Sequence, residues 1–139
     1  MSSPILPLRA AIRATCQADA TLSSLMGGLT GPHDEAPRGA PPLYAVFGDA
    51  VLRDRSTSTE RGHEQDVSIV VYAKAGSAAS ALRAADRMAA LLDDAPLALS
   101  GHHLVRLSVG EIASDRDPET RLARVTLRLV AVTDVAAAP

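Results

Sequence analysis

The sequence predicts an α+β fold: a mostly antiparallel four-stranded sheet with two main helices packed on one face, in the order α-β-β-α-β-β. Three observations carry that expectation. Two stretches, one at the start and one near the middle, repeat apolar residues at helical spacing. Three others alternate residues with a period of two, as half-buried strands do, and a fourth, Leu43–Phe47, is a short apolar run. The strands also arrive in pairs on either side of a helix, which favours hairpins over the βαβ crossovers of a parallel sheet. At 139 residues the chain reads as one domain, 1–139, long enough to bury roughly two-thirds of its unfolded surface without staples.

The opening helix is marked by Ser3-Pro4 and by the stripe Ile5, Leu8, Ile12 and Cys16, with Arg9 and Arg13 on the solvent side. Asp19 reads as the N-cap of a short continuation whose Leu22, Leu25 and Met26 face inward, and Gly27-Gly28 ends it. Residues 27–42 are dense in Gly and Pro and read as a long loop, the kind that tends to be functional. An apolar strand follows at Leu43–Phe47, then a second long loop or hairpin arm over 48–65, polar throughout. Val67, Ile69, Val71 and Ala73 alternate in the clearest strand of the chain. Gly76-Ser77 opens the main helix, with the stripe Ala78, Ala81, Leu82, Ala85, Met88, Ala89 and Leu92 inside and Arg83, Asp86, Arg87 and Asp93 in water, and Pro96 stops it. A final hairpin sets Val105, Leu107 and Val109 on one arm, and Ala123, Val125, Leu127, Leu129 and Ala131 on the other, with its turn near Asp115–Glu119. Arg106, Arg124, Thr126 and Arg128 fall on the opposite sheet face. The closing VAAAP reads as frayed.

Composition narrows the function. Apolar residues make up 47% and charged residues 22%, an ordinary globular balance that excludes wholesale disorder. A net charge of −2 gives no basic field for gripping phosphates, and 2% aromatic content leaves no stacking platform for bases. Of the 14 Lys and Arg residues only Lys74 is lysine, a sign of GC-rich coding and not of mechanism. Cys16 is alone, so neither an intrachain disulfide nor a thiolate cluster is expected, which suits a reducing compartment. No stretch reaches 18 apolar residues, and the N-terminus lacks the pattern of a secretory signal, so no membrane partner is expected.

The search for chemistry is negative. His33, His63, His102 and His103 come without HExxH spacing or cysteine partners, and the adjacent His102 and His103 point to opposite faces in extended chain. No metal and no cofactor is assigned. There is no nucleophile elbow, Cys16 sits on an apolar helix stripe, and neither phosphate-loop pattern is present around Gly27, Gly28 and Gly31. Asp93-Asp94 reads as a solvated helix end rather than a catalytic pair. For the arginines of the outer sheet face three readings stand together: an anion surface, a wet face paired with Glu111 or Glu119, or a surface meeting other copies of the chain, where arginine forks are favoured.

Read in order, LRAAIRATCQADATLSSLMGG, APPLYAVFGDAVLRDRST, RGHEQDVSIVVYAKAG and PLALSGHHLVRLSVGEIASDRDPETRLARVTLRLVAVT resemble the phage tail-completion or tail-terminator family, especially its gene transfer agent members. The resemblance spans about Ile5 to Thr133. Tyr72 stands where the family often has Trp, a swap that keeps an amphipathic aromatic. The resemblance implies a structural, non-enzymatic subunit of a virion or phage-like particle tail, assembled in the bacterial cytoplasm. It implies a hexameric ring on the head-proximal end of the tail tube, ending tube growth and joining the neck. Its partners are then copies of itself, the tube protein and a head-tail connector, with DNA passing through the channel without specific binding. Arg53, Asp54, Arg55, Arg61, Arg106, Arg124 and Arg128 are the candidate assembly residues. Another neck protein, or a dimeric small-ligand-binding α+β domain, is the alternative.

Overall fold

The computed structural model describes residues 3–28, 30–39 and 41–135. It contains helices α1 (Ile5–Gln17), α2 (Ala20–Leu25) and α3 (Ala78–Leu92) and strands β1 (Leu43–Asp54), β2 (Gly62–Ala73), β3 (His102–Arg116) and β4 (Ala123–Val135). The strands form one antiparallel sheet in the order β1-β2-β4-β3. This is the α+β architecture the periodicities predict, with the bent start resolved into two helices. The part of the expected frayed tail beyond residue 135 lies outside the described residues.

One sheet face carries the core. Ile69 and Val71 of β2 and Val125 and Leu127 of β4 are fully buried, and Leu8, Ile12, Leu22, Met88 and Leu92 cover them from the helices. Cys16 belongs to this layer, and burial followed by the charge of Asp19 pushes its thiol up to about 12, so it packs as a small apolar group. The helical pair α1–α2 is fastened by ionic contacts. Asp19 caps α2, accepting from Leu22 N at 2.9 Å, and grips Arg87 of α3 through two bonds of 2.9 and 2.7 Å. The arginine, set in water by its helical phase, thus finds a carboxylate the sequence places 68 residues away.

Arg9 and Arg13 likewise depart from the solvent face expected of them. Their guanidinium groups lie 5.0 and 5.5 Å from the centre of the Phe47 ring, a cation–π arrangement. Arg9 also donates to Gly48 O at 3.3 Å, and Arg13 donates to Pro32 O at 2.9 Å and Asp34 Oδ1 at 3.0 Å. The bonds of Arg13 hold Pro32 and Asp34 against α1, and that of Arg9 ties α1 to β1. Gly31 is obligatory next to Pro32: its φ is +57°, and a Cβ would meet His33 N at 2.6 Å.

The 48–65 segment is not a loop over most of its length. Residues to Asp54 continue β1 and those from Gly62 belong to β2, so only 55–61 form the turn. Backbone pairing with β2 holds this polar stretch extended, including Arg53 opposite Glu64 and Leu52 opposite Gln65. A bulge between Phe47 and Ala50 breaks its alternation. The carbonyls this frees are taken up by Arg9 at Gly48 O and by the Ser68 hydroxyl at Asp49 O, the latter at 3.3 Å. In β3, a bulge between Leu104 and Arg106 swings Val105 out of the set it shares with Leu107 and Val109 by period, leaving it 53% exposed.

Candidate functional site

The outer sheet face is a grid of cross-strand pairs. In the row nearest the β3–β4 turn, Tyr44, Tyr72, Arg124 and Asp115 lie side by side on β1, β2, β4 and β3. Ser68, Arg128 and Glu111 form a row near the middle. At the far end lie Arg53, Glu64, Val132 and Arg106. Because directly opposed side chains on a sheet are within reach of each other, these registers decide the electrostatics.

Arginine and carboxylate meet in most rows. Arg124 forks Asp115 with bonds of 2.8 and 2.7 Å, which raises the guanidinium affinity for its proton and holds Asp115 below the usual carboxylate range. Arg128 reaches Glu111 at 3.1 Å. Arg53 bridges Asp66 at 2.8 Å and Glu64 at 3.3 Å, and Arg55 approaches Glu64 at 3.5 Å. Of the wet-face partners the sequence suggests, Glu111 is therefore engaged, while the other pairings use Asp115, Glu64 and Asp66. Such interleaving leaves no cationic field, so the anion-surface reading loses its basis.

Between these pairs lies an open trough of about 400 Å³ bordered by Asp49, Val51, Asp66, Ser68, Glu111 and Arg128. It occupies the stretch where both edge strands carry bulges, Phe47/Ala50 on β1 and Val109/Glu111 on β3. Bulges increase local twist, which is how a sheet face becomes concave. At the end of the β1–β2 hairpin the turn is bonded to itself. Asp54 Oδ1 accepts from Ser56 N at 2.8 Å, Arg55 N donates to Gly62 O at 2.9 Å, and Thr57 N donates to Glu60 O at 2.8 Å. Hydrogen bonds from Ser56 hold Asp54 below the usual carboxylate range.

The family profile described as "Tail completion protein gp17" matches residues 10–134. The chain belongs to this tail completion family. It is also similar, at 27% identity and a TM-score of 0.82, to a chain of the solved structure described as "Virion of native gene transfer agent (GTA) particle". That likeness covers 96% of this chain and 99% of the other. No curated protein matches. This tail completion protein is thus a structural component of phage-type tails, and its likeness to a virion chain sets it in the context of a phage-like particle.

Within the tail completion protein, the seven residues singled out from sequence do not form one cluster. Arg53, Asp54, Arg55 and Arg61 share the hairpin end, Arg106 lies at the same end of β3, Arg128 lies near the middle of β4, and Arg124 lies at its other end. Among the described residues Arg61 and Arg106 have no carboxylate within 4.0 Å, unlike the other arginines of the set. Sequence reasoning missed two contacts that finish the sheet edges. Asp94 N donates to Leu107 O at 2.8 Å and Asp93 Oδ1 accepts from Val109 N at 2.9 Å, so the helix end read as merely solvated caps part of β3. His33 bridges β1 at Val46 through its backbone. No one-dimensional pattern encodes either contact.

Proposed function

We propose that this protein is the subunit of a ring, a hexamer, that caps the head-proximal end of a tail tube, ends tube polymerisation and offers the surface on which the neck docks. Its likeness over nearly its whole length to a virion chain carries this reading. The two faces of the sheet support it physically. One is sealed by helices, while the other, with no helix over it, mixes charged side chains with half-buried Tyr44, Val46, Val70, Tyr72, Val130 and Val132, as a surface kept for partners does. A head-to-tail contact repeated around a rotation axis closes into such a ring. The partners are copies of the chain, the tube protein and a head-tail connector. Arg53, Asp54, Arg55, Arg61, Arg106, Arg124 and Arg128 supply contacts at these joints. The interleaved charge and net −2 suit a channel through which DNA slides without being held. The role is structural and needs no catalytic residue, and assembly takes place in the bacterial cytoplasm.

The test is deletion and complementation. Particles made without the chain are expected to carry overlong or headless tails under negative stain, and the full chain restores normal length. Normal tails in its absence, or localisation of the chain at the portal instead of the tube end, would assign it to another neck position. Dimers that bind a small ligand would assign it to a different class altogether.

A further inference from the structure

In an antiparallel ladder, alternate residues of an edge strand turn both N–H and C=O away from the neighbour. On β3 these are His102 (which bridges to Leu99), Leu104, and then Leu107 and Val109, where Leu107 O accepts from Asp94 N and Val109 N donates to the Asp93 carboxylate. The same alternation, followed past the bulge at Gly110, turns Ile112, Ser114 and Arg116 outward, opposite Leu127, Val125 and Ala123. On β1 the outward residues Ala45 and Phe47 are engaged by His33, through His33 N to Ala45 O at 2.8 Å and Phe47 N to His33 O at 2.9 Å. Past the β1 bulge the outward residues are Ala50, Leu52 and Asp54. Among the described residues none of these six has a partner for its outward backbone groups.

Each edge is therefore capped over one half and open over the other, and the open halves lie at opposite ends of the sheet. Arg116 shares a row with Ala123, Ala73 and Leu43, whereas Leu52 shares one with Gln65, Ala131 and Leu107. An open edge is a template for another strand.

We infer that the open half of β1 (Ala50–Asp54) pairs with the open half of β3 (Ile112–Arg116) of a second copy, joining subunits through a continuous antiparallel sheet. Four observations select a second copy as the occupant. In a four-stranded antiparallel sheet β1 and β3 run in opposite directions, so copies set side by side in one orientation present antiparallel edges. The outer side chains are opposite in sign, Arg53 and Arg55 at the β1 end and Glu111 and Asp115 on β3, and the exposed pairs each makes within the chain leave them able to exchange partners across the joint. Val51 and Ile112, 48% and 39% exposed, sit on these two halves, Val51 on the outer face opposite Asp66 and Ile112 on the helix side opposite Leu127, so the joint borders an exposed apolar side chain on each face. The open part of β3 carries neither Pro nor Lys, and its charged residues, Asp115 and Arg116, stand only at its end, leaving Ile112, Ala113 and Ser114 unguarded. The contact uses different surfaces on its two sides, as ring closure requires. It also sets neighbours off along the strand direction, because the paired halves come from opposite ends.

This interface deepens the proposed ring and rests on it, and the experiment separates the two. Chains carrying Ala113→Cys with either Val51→Cys or Arg53→Cys are assembled into particles and oxidised. One of the two pairs is expected to give a covalent ladder that stops at the ring size. A ring seen by microscopy with no ladder from either pair, or dimers from Ala113→Cys alone, overturns the β1–β3 contact and leaves the ring standing. A ladder that runs on without stopping keeps the contact and overturns the ring, and a chain that never meets a copy of itself overturns both. Ser114→Pro removes an N–H that faces away from β4 and is expected to keep the melting temperature while lowering tailed-particle yield at least tenfold. Ile112→Lys guards the same edge without touching the backbone and is expected to do likewise. Unchanged yield in both variants overturns the contact.

Discussion

The two faces of the sheet answer to different chemistry although they are made of the same strands. On the helix side Ile69, Val71, Val125 and Leu127 are excluded from water, and their worth lies in apolar burial and close packing. On the other side the same strands carry Arg124 and Arg128 of β4 and Glu64 and Asp66 of β2, held in exposed pairs that contribute little to folding. Folding is thus decided on one face, which leaves the other free to serve assembly.

The sharpest way to break that division is to empty the buried face. Leu127→Ala is expected to cost about 2–5 kcal/mol from lost packing plus the cavity left behind, measured by denaturant unfolding. A loss under about 0.5 kcal/mol would mean that the helices do not pack there. A smaller effect is expected where the outer face touches its own backbone. A Cβ on Gly48 would collide with Ser68 Oγ, so Gly48→Ala must turn that hydroxyl away from Asp49 O. The expected cost is about 1 kcal/mol, and Ser68→Ala in the same chain should recover much of it. Non-additivity in a double-mutant cycle is the check.

Acid sharpens the comparison between the ion pair that fastens the helices and those of the outer face. Bonds from Arg87, then from Leu22 N, lower Asp19 from 3.8 to about 2. A carboxylate lowered on folding stabilises fully above its unfolded value, and that contribution fades as pH falls through the folded one. The advantage of the native chain over Asp19→Asn should therefore be nearly full above about pH 4, shrink steadily between about pH 4 and 2, and vanish only below about pH 2. Loss of the advantage well above pH 4 would show that Asp19 is not held by Arg87. The smallest effect on stability is expected from replacing Arg53, Asp54 and Arg55 together with serine. Their pairs are exposed, so the melting temperature should hardly move, while attachment of heads to tails falls or tubes run long. A large drop in melting temperature would move these residues from assembly to folding.

How much of this was legible in the sequence follows the same division. The buried face announces itself because Val67, Ile69, Val71 and the set from Ala123 to Ala131 keep an unbroken period of two. The outer half of β1 does not, since Arg53 and Asp54 put charge on both faces and the bulge after Phe47 interrupts the phase. Pairing with β2, not apolar content, makes it a strand. Arg9, Arg13 and Arg87 take the solvent side by helical spacing, and only the folded arrangement brings them to Phe47 and Asp19. Of the candidate assembly residues, their place on the outer face was readable for β4, because strand parity alone fixes it. The capping of the sheet edges by His33, Asp93 and Asp94 was not, because it depends on backbone groups that any residue possesses.

The Asp19–Arg87 fork has a further consequence, in time rather than in energy. It joins positions 68 residues apart, across the whole β1–β2 hairpin and most of α3. Closing so long a loop carries an entropic cost that local pairing in the hairpins does not, so the hairpins are favoured to form before the fork. A bond made after the folding barrier leaves the folding rate alone and slows escape from the native state. A fork made after that barrier would act as a latch on the N-terminal helices, so that Arg87→Ala would speed unfolding and leave the folding rate unchanged.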